Sequence, residues 1–346
     1  MIRGPKAGLN AAVVVGSEAF CAASGGLGRV ECYDLSSGRE LGALLAGAGA
    51  AGGGGNVELT CIAANGGLVA GAGEGGDVFL WDPRAGSRSE GRWGGGQWGC
   101  SPASTFHIAG ASRVLSLSLS GCHGGGGNVA VVASNGARVF DLRMSGRPMR
   151  LTSREPGQRW VAAGHTPAAE PVTLSTSGDV TIWTSSPPHA PFRTLRGVDK
   201  GGGVLAVSRR FTGAPSSLDD AEASITSAAD AAAAPGQLGG AGCLVLTSGG
   251  TFGETARVSD LATGSVVAEW GADGNQVVYD AGVSGYGAGY PSVGRWADEV
   301  EAEEAAAPLT SVAWSAGGHQ GEAHGAASFA LGTSDGTVRV YGCNLE

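Results

Sequence analysis

The chain has 346 residues, 64 of them glycine and 14 proline, and its 22 Lys plus Arg against 31 Asp plus Glu leave a net charge of -9. Glycine without a Gly-X-Y period excludes collagen, and the negative balance argues against a nucleic-acid backbone as main partner, the one basic grouping being Arg143, Arg147, Arg150, Arg154 and Arg159. No stretch approaches the roughly 18 consecutive apolar residues of a membrane span, so no membrane insertion is expected, and the weakly basic start, with a very short apolar run before Glu18, does not read as a secretory signal.

Glycine is concentrated in clusters such as 52–55, 94–96 and 124–127, while the segments between are rich in Val, Leu and Ala. These read as padded loops joining short strands. One unit recurs: a hydrophobic run with small residues, a Gly, Asn or Asp turn, then an alternating run ending in an aromatic or apolar residue, often before Asp. The first copy is AFCAASGGLGRVECYDLSSG at 19–38, between predicted strands at 11–15 and 40–45. The second is GLVAGAGEGGDVFLWDPRAG at 67–86, after a strand at 57–63 and before an outer strand placed near 90–93. NVAVVASNGARVFDLRMSG at 128–146 lies between strands at 114–119 and 148–152. PVTLSTSGDVTIWTSS at 171–186 lies between 160–163 and 192–195. GCLVLTSGGTFGETARVSDLATG at 242–264 lies between 204–208 and 265–270. The last copy, GTSDGTVRVYG at 332–342, follows a strand at 309–314 and has no fourth strand after it. Residues 1–8 are too polar and glycine-rich to supply that strand well, which leaves 11–15 or a partner's strand to close the series.

Four short antiparallel strands per unit, repeated along the chain, form the pattern of an all-β propeller. Two inserts interrupt it: a polar, alanine-rich one at 212–242 and an acidic one at 297–308 with five carboxylates and no basic residue. Both read as solvated loops, the second also as a contact for a basic partner. Residues 275–296 are the place for a degenerate extra blade.

The residues that carry chemistry form no recognisable constellation. The seven cysteines, at 21, 32, 61, 100, 122, 243 and 343, are odd in number and lack a CxxC pair, so they read as small buried hydrophobes in a reducing, intracellular compartment, cytoplasmic or nuclear. His319, His324 and Glu322 share a loop, but with no further nitrogen or thiolate in a definite strand they do not make a zinc site. The GGGGN runs at 52–56 and 124–128 lead into strands without a following GKS or GKT, which rules out a phosphate-binding P-loop. No catalytic residue, cofactor or metal is expected.

The endings Tyr33-Asp34, Trp81-Asp82, Phe140-Asp141 and Ser259-Asp260, with Ser334-Asp335-Gly336 before Val-Arg-Val-Tyr, resemble blades of the WD-repeat propeller family. That resemblance implies one propeller domain over 10–345, with seven blades as first choice and six as second. The family's Gly-His dipeptide is missing from its usual place before the innermost strand, and Gly164-His165 follows a strand instead. The resemblance also implies a non-catalytic protein-protein interaction scaffold, a subunit or adaptor of a multiprotein complex in nucleus or cytoplasm. Residues 69–84 and 128–143 are further similar to the sixteen-residue box ending in aromatic-Asp-X-Arg, which in the family marks some substrate receptors of cullin-RING ubiquitin ligases. By that resemblance Arg84 and Arg143 would face the ligase's propeller adaptor, with Asp82 and Asp141 orienting the turns and Trp81 and Phe140 completing the protein-binding set.

Overall fold

Short runs of β-branched and small apolar residues extend readily as strands, and every regular element among the described residues is a β-strand. The computed structural model describes residues 9–15, 17–23, 28–46, 57–65, 67–83, 98–120, 127–142, 148–151, 157–166, 168–186, 188–196, 203–207, 243–249, 255–261, 263–271, 276–278, 309–314, 326–333 and 338–344. β1 (Leu9–Val15), β2 (Glu18–Ala23), β3 (Arg29–Asp34) and β4 (Glu40–Leu45) form a first antiparallel sheet. β5 (Leu59–Asn65), β6 (Leu68–Gly73) and β7 (Asp77–Trp81) begin a second. β8 (Trp98–Cys100) then returns to the first sheet, parallel to β4, before β9 (Ser104–His107) completes the second.

The third sheet is β10 (Val114–Leu119), β11 (Asn128–Ala133), β12 (Gly136–Asp141) and β13 (Pro148–Leu151). The fourth is β14 (Trp160–His165), β15 (Pro171–Ser175), β16 (Val180–Trp183) and β17 (Pro191–Leu195). β18 (Leu205–Val207), β19 (Leu244–Gly249), β20 (Thr255–Asp260), β21 (Val266–Gly271) and β22 (Gln276–Val278) make the fifth. β23 (Leu309–Trp314), β24 (Ala326–Thr333) and β25 (Val338–Asn344) make the last. The first four sheets belong to one compact unit and the last two to another.

The repeat is sharper in the backbone than in the sequence. The leading strand of five sheets breaks register at the same point, between its first and third residues: Leu9/Ala11, Leu59/Cys61, Val114/Ser116, Trp160/Ala162 and Leu309/Ser311. Such bulges bend a strand and increase its twist. In the first unit the leading strands adjoin in order, β1 beside β5, β5 beside β10 and β10 beside β14; in the second, β18 adjoins β23.

Apolar side chains fill the seams between successive sheets. Phe20, Val30 and Leu44 of the first sheet meet Val69, Phe79 and Trp81 of the second. Val78 and Phe106 meet Leu117, Val131 and Phe140 of the third, and Val132 and Val139 meet Trp160 and Trp183 of the fourth. Each such side chain contributes about 1.5–3 kcal/mol on burial. Hydrogen bonds across the seams, among them Thr60 Oγ1 to Val114 O (3.0 Å) and Ala163 N to Ser116 Oγ (3.0 Å), contribute about 1 kcal/mol each, so apolar burial dominates. Glycine is required at the β6–β7 turn, where Gly75 and Gly76 have φ of +84° and +78° and a Cβ on Gly76 would lie 2.9 Å from Ile108 O. Two consecutive left-handed residues are what a tight hairpin turn demands.

Several expectations change. The outer strand of the second sheet is β9, not 90–93, which lies outside the described residues. Gly164-His165 lies inside β14 rather than after it. Of residues 275–296, only Gln276–Val278 is described, and it extends the fifth sheet. Both inserts, 212–242 and 297–308, and residues 1–8 lie outside the described residues. No described helix is long and apolar enough to cross a membrane.

Candidate protein-interaction surface

The two boxes place their aromatic residues inward. Trp81 is fully buried, its ring lying over Gly71, where a Cβ would come within 2.9 Å of it. Its Nε1 donates to Leu45 O of the first sheet at 3.4 Å, and Phe79 stacks on it at 5.9 Å between centroids. Phe140 is fully buried against Phe106 at 5.1 Å. The two aromatics therefore sit in different seams, the first/second and the second/third. Asp82 is half-buried and Asp141 buried at the ends of their strands, while Arg84 and Arg143 lie outside the described residues. Trp183 holds the equivalent place in the fourth sheet, donating from Nε1 to Thr173 Oγ1 at 2.9 Å and meeting Trp160 edge-on at 5.7 Å.

The strand-end aspartates form turns, as the sequence indicates. Asp34 Oδ1 accepts from Ser36 N (2.7 Å), Ser36 Oγ (2.5 Å) and Ser37 N (3.1 Å). These bonds, the Ser36 hydroxyl first, hold its carboxyl below the ordinary range. Asp260 Oδ1 accepts from Thr263 N at 2.7 Å in the same way.

Titratable groups elsewhere are engaged or scattered. Exposed His107 contacts Asp77 at 2.8 Å. His165 Nδ1 contacts Ser118 Oγ at 3.0 Å across the third/fourth seam, and its Nε2 is buried without a partner. Burial first, and the neighbouring charge of His189 second, push His165 down to about 3. His319, His324 and Glu322 lie outside the described residues. Among the described residues no group of three His, Cys, Asp or Glu is placed to hold a metal ion. Cys21, Cys32, Cys61 and Cys100 are free thiols.

One surface feature joins Arg150, a member of the basic grouping in the sequence, to an arginine outside that grouping. Arg138 on β12 is directly opposite Arg150 on β13. Arg138 Nη1 donates to Asn135 Oδ1 at 2.7 Å, and Arg150 Nη2 makes a longer 3.5 Å contact with Asn135 O. Asn135 in turn donates from Nδ2 to Ala109 O at 3.0 Å, tying the turn to the segment after β9. The side chains belong to the face turned toward the second sheet, since Val131, paired with Arg138, packs in that seam. Burial first, and the charge of Arg150 second, lower Arg138's pKa. The readable signal was the shared strand sequence: GARVFD at 136–141 and TARVSD at 255–260 put an arginine three residues before the aspartate.

No protein-family model matches the chain, nor does any curated protein at the level of sequence. Solved structures do match. U3-55K superimposes with a TM-score of 0.60 at 14% identity, covering 99% of this chain and 79% of that one. The WD40 repeats of RRP9 give 0.59 at 14% identity, covering 99% and 78%. The computationally designed protein Ika8 gives 0.51 at 15% identity, covering 98% and 72%. At these identities the likeness is one of fold: the sheets are built and ordered like WD40 blades.

Proposed function

We propose that this chain is a single propeller domain over residues 10–345 and serves as a non-catalytic protein-interaction platform, a subunit or adaptor of a multiprotein complex. The observation that supports it is the WD40-like arrangement along 99% of the chain. Apolar seams make such a body rigid, and the polar strand ends and outer edges remain for contacts. Closure of the ring and a count of seven or six blades belong to the same proposal. The free buried thiols Cys32 and Cys100 favour a reducing compartment, cytoplasm or nucleus.

The test is affinity purification of the tagged chain from its own cells, followed by mass spectrometry, with Arg84→Ala/Arg143→Ala alongside. The proposal predicts a stable set of subunits recovered equally by both forms. Cullin-ligase adaptor peptides that dominate the wild-type sample and vanish from the double variant would make the chain a substrate receptor instead.

A further inference from the structure

We infer that Arg138 and Arg150 form a docking surface for an acidic segment of a partner protein, a run of Asp or Glu side chains. The inference rests on the platform reading and specifies the chemistry of one contact.

The two arginines sit opposite one another on β12 and β13. Like charges directly opposite in a sheet destabilise it, so the pairing works against the fold on its own. Asn135 holds both guanidinium groups with neutral oxygens, one from its side chain and one from its backbone. Their partners among the described residues include no carboxylate: Arg138 bonds to Asn135 Oδ1 and Gly136 O, and Arg150 to Asn135 O. Most of the donors of the two guanidinium forks therefore remain available to a carboxylate, which each can bind with two parallel hydrogen bonds.

The fifth sheet supplies the internal control. Arg257 occupies the same strand position as Arg138, three residues before the strand-end aspartate, and the residue opposite it is Glu269. There the charges meet as an ion pair at 3.3 Å. One copy of the repeat neutralises its arginine internally, while the other places a second arginine where the carboxylate would stand. A partner's carboxylates complete the third sheet as Glu269 completes the fifth. A carboxylate segment fits better than a nucleic acid, because the fifth sheet already meets its arginine with a carboxylate, Glu269, and two arginines are too few for the several phosphate contacts that hold a nucleic-acid backbone.

The experiment uses the full chain and a fluorescein-labelled decaglutamate probe, read by fluorescence polarisation, with decaglutamine and a ten-nucleotide oligouridine as comparison probes. Melting temperatures are recorded for every variant. Decaglutamate is expected to bind and decaglutamine not to. Arg138→Gln and Arg150→Gln should each weaken binding about tenfold, the loss expected for a charge-assisted hydrogen bond, while Arg257→Gln leaves it unchanged. Arg150→Glu should abolish binding and raise the melting temperature, by recreating the pairing of the fifth sheet. Binding that is absent, or that survives all three changes at Arg138 and Arg150, overturns the inference, as does oligouridine binding more tightly and being lost in the same variants. In affinity purification, loss of one acidic partner from Arg138→Gln/Arg150→Gln supports it; recovery of every partner undiminished overturns it and leaves the platform reading standing.

Discussion

The third and fifth sheets start from nearly the same strand, GARVFD in one and TARVSD in the other, and resolve it differently. At the fifth position Phe140 is fully buried in the seam with the second sheet, whereas Ser259 is buried with its hydroxyl unpartnered. At the third position the cross-strand neighbour is Arg150 in one and Glu269 in the other. The backbone unit thus tolerates opposite side-chain solutions once its register is set. Phe140 is where the third sheet gains stability, and Arg150 is where it gives some up for an exposed charge.

Phe140→Ser, which copies the fifth sheet into the third, should have the largest effect. Truncating a buried Phe costs about 3–5 kcal/mol, and a hydroxyl left unpaired in the seam adds to that. Denaturant unfolding measures it, and a loss under about 1 kcal/mol would mean that the second/third seam is not tightly packed.

Acid should separate the regions next. His165, across the third/fourth seam, stays neutral down to about pH 3 in the folded chain, while an unfolded histidine takes up its proton near 6.5. Between those values the unfolded state binds the extra proton, so stability falls as pH falls, by up to about 1.4 kcal/mol per pH unit. Glu170 on the following turn, raised by burial, acts in the opposite sense and offsets part of the loss. Hydrogen exchange at pH 5 against pH 7 should show earlier opening of β10 and β14 than of β19 and β20. Equal change in both would rule out His165 as the acid-sensitive group.

Glu269→Arg, which gives the fifth sheet the arginine pair of the third, should destabilise by about 1 kcal/mol, the scale of a cross-strand charge reversal, and urea midpoints read it directly. The smallest effect belongs to Ser259→Ala, which removes a buried hydroxyl with no partner and should be neutral or stabilising by about 1 kcal/mol. A clear loss of melting temperature would show that the hydroxyl is in fact bonded.

The comparison also explains what the sequence discloses. Strands β4, β10 and β23 fall where the sequence reading puts them, at 40–45, 114–119 and 309–314, because each is a short apolar-rich run bounded by turns. The outer strand β9 is hard to read: STFH buries only Phe106, and one apolar residue carries no period. β8 pairs in parallel with a sheet other than its neighbour's, a long-range register that leaves no local mark. The arginine pair was hidden for the same reason. Arg138 and Arg150 are twelve positions apart, and only the match of Val139 with Met149 and Phe140 with Pro148 brings them opposite. Trp81 and Phe140 were legible as strand endings, but their burial depends on the sheet beside them, which the sequence of one unit does not contain.

The most direct test of the platform claim is native-gel separation of a gentle cell extract, probed for this chain. The account predicts migration in a discrete particle far heavier than the 34.0 kDa chain alone, with defined subunits recovered from that band. Migration as the isolated chain, with no subunit recovered at physiological salt, would contradict it.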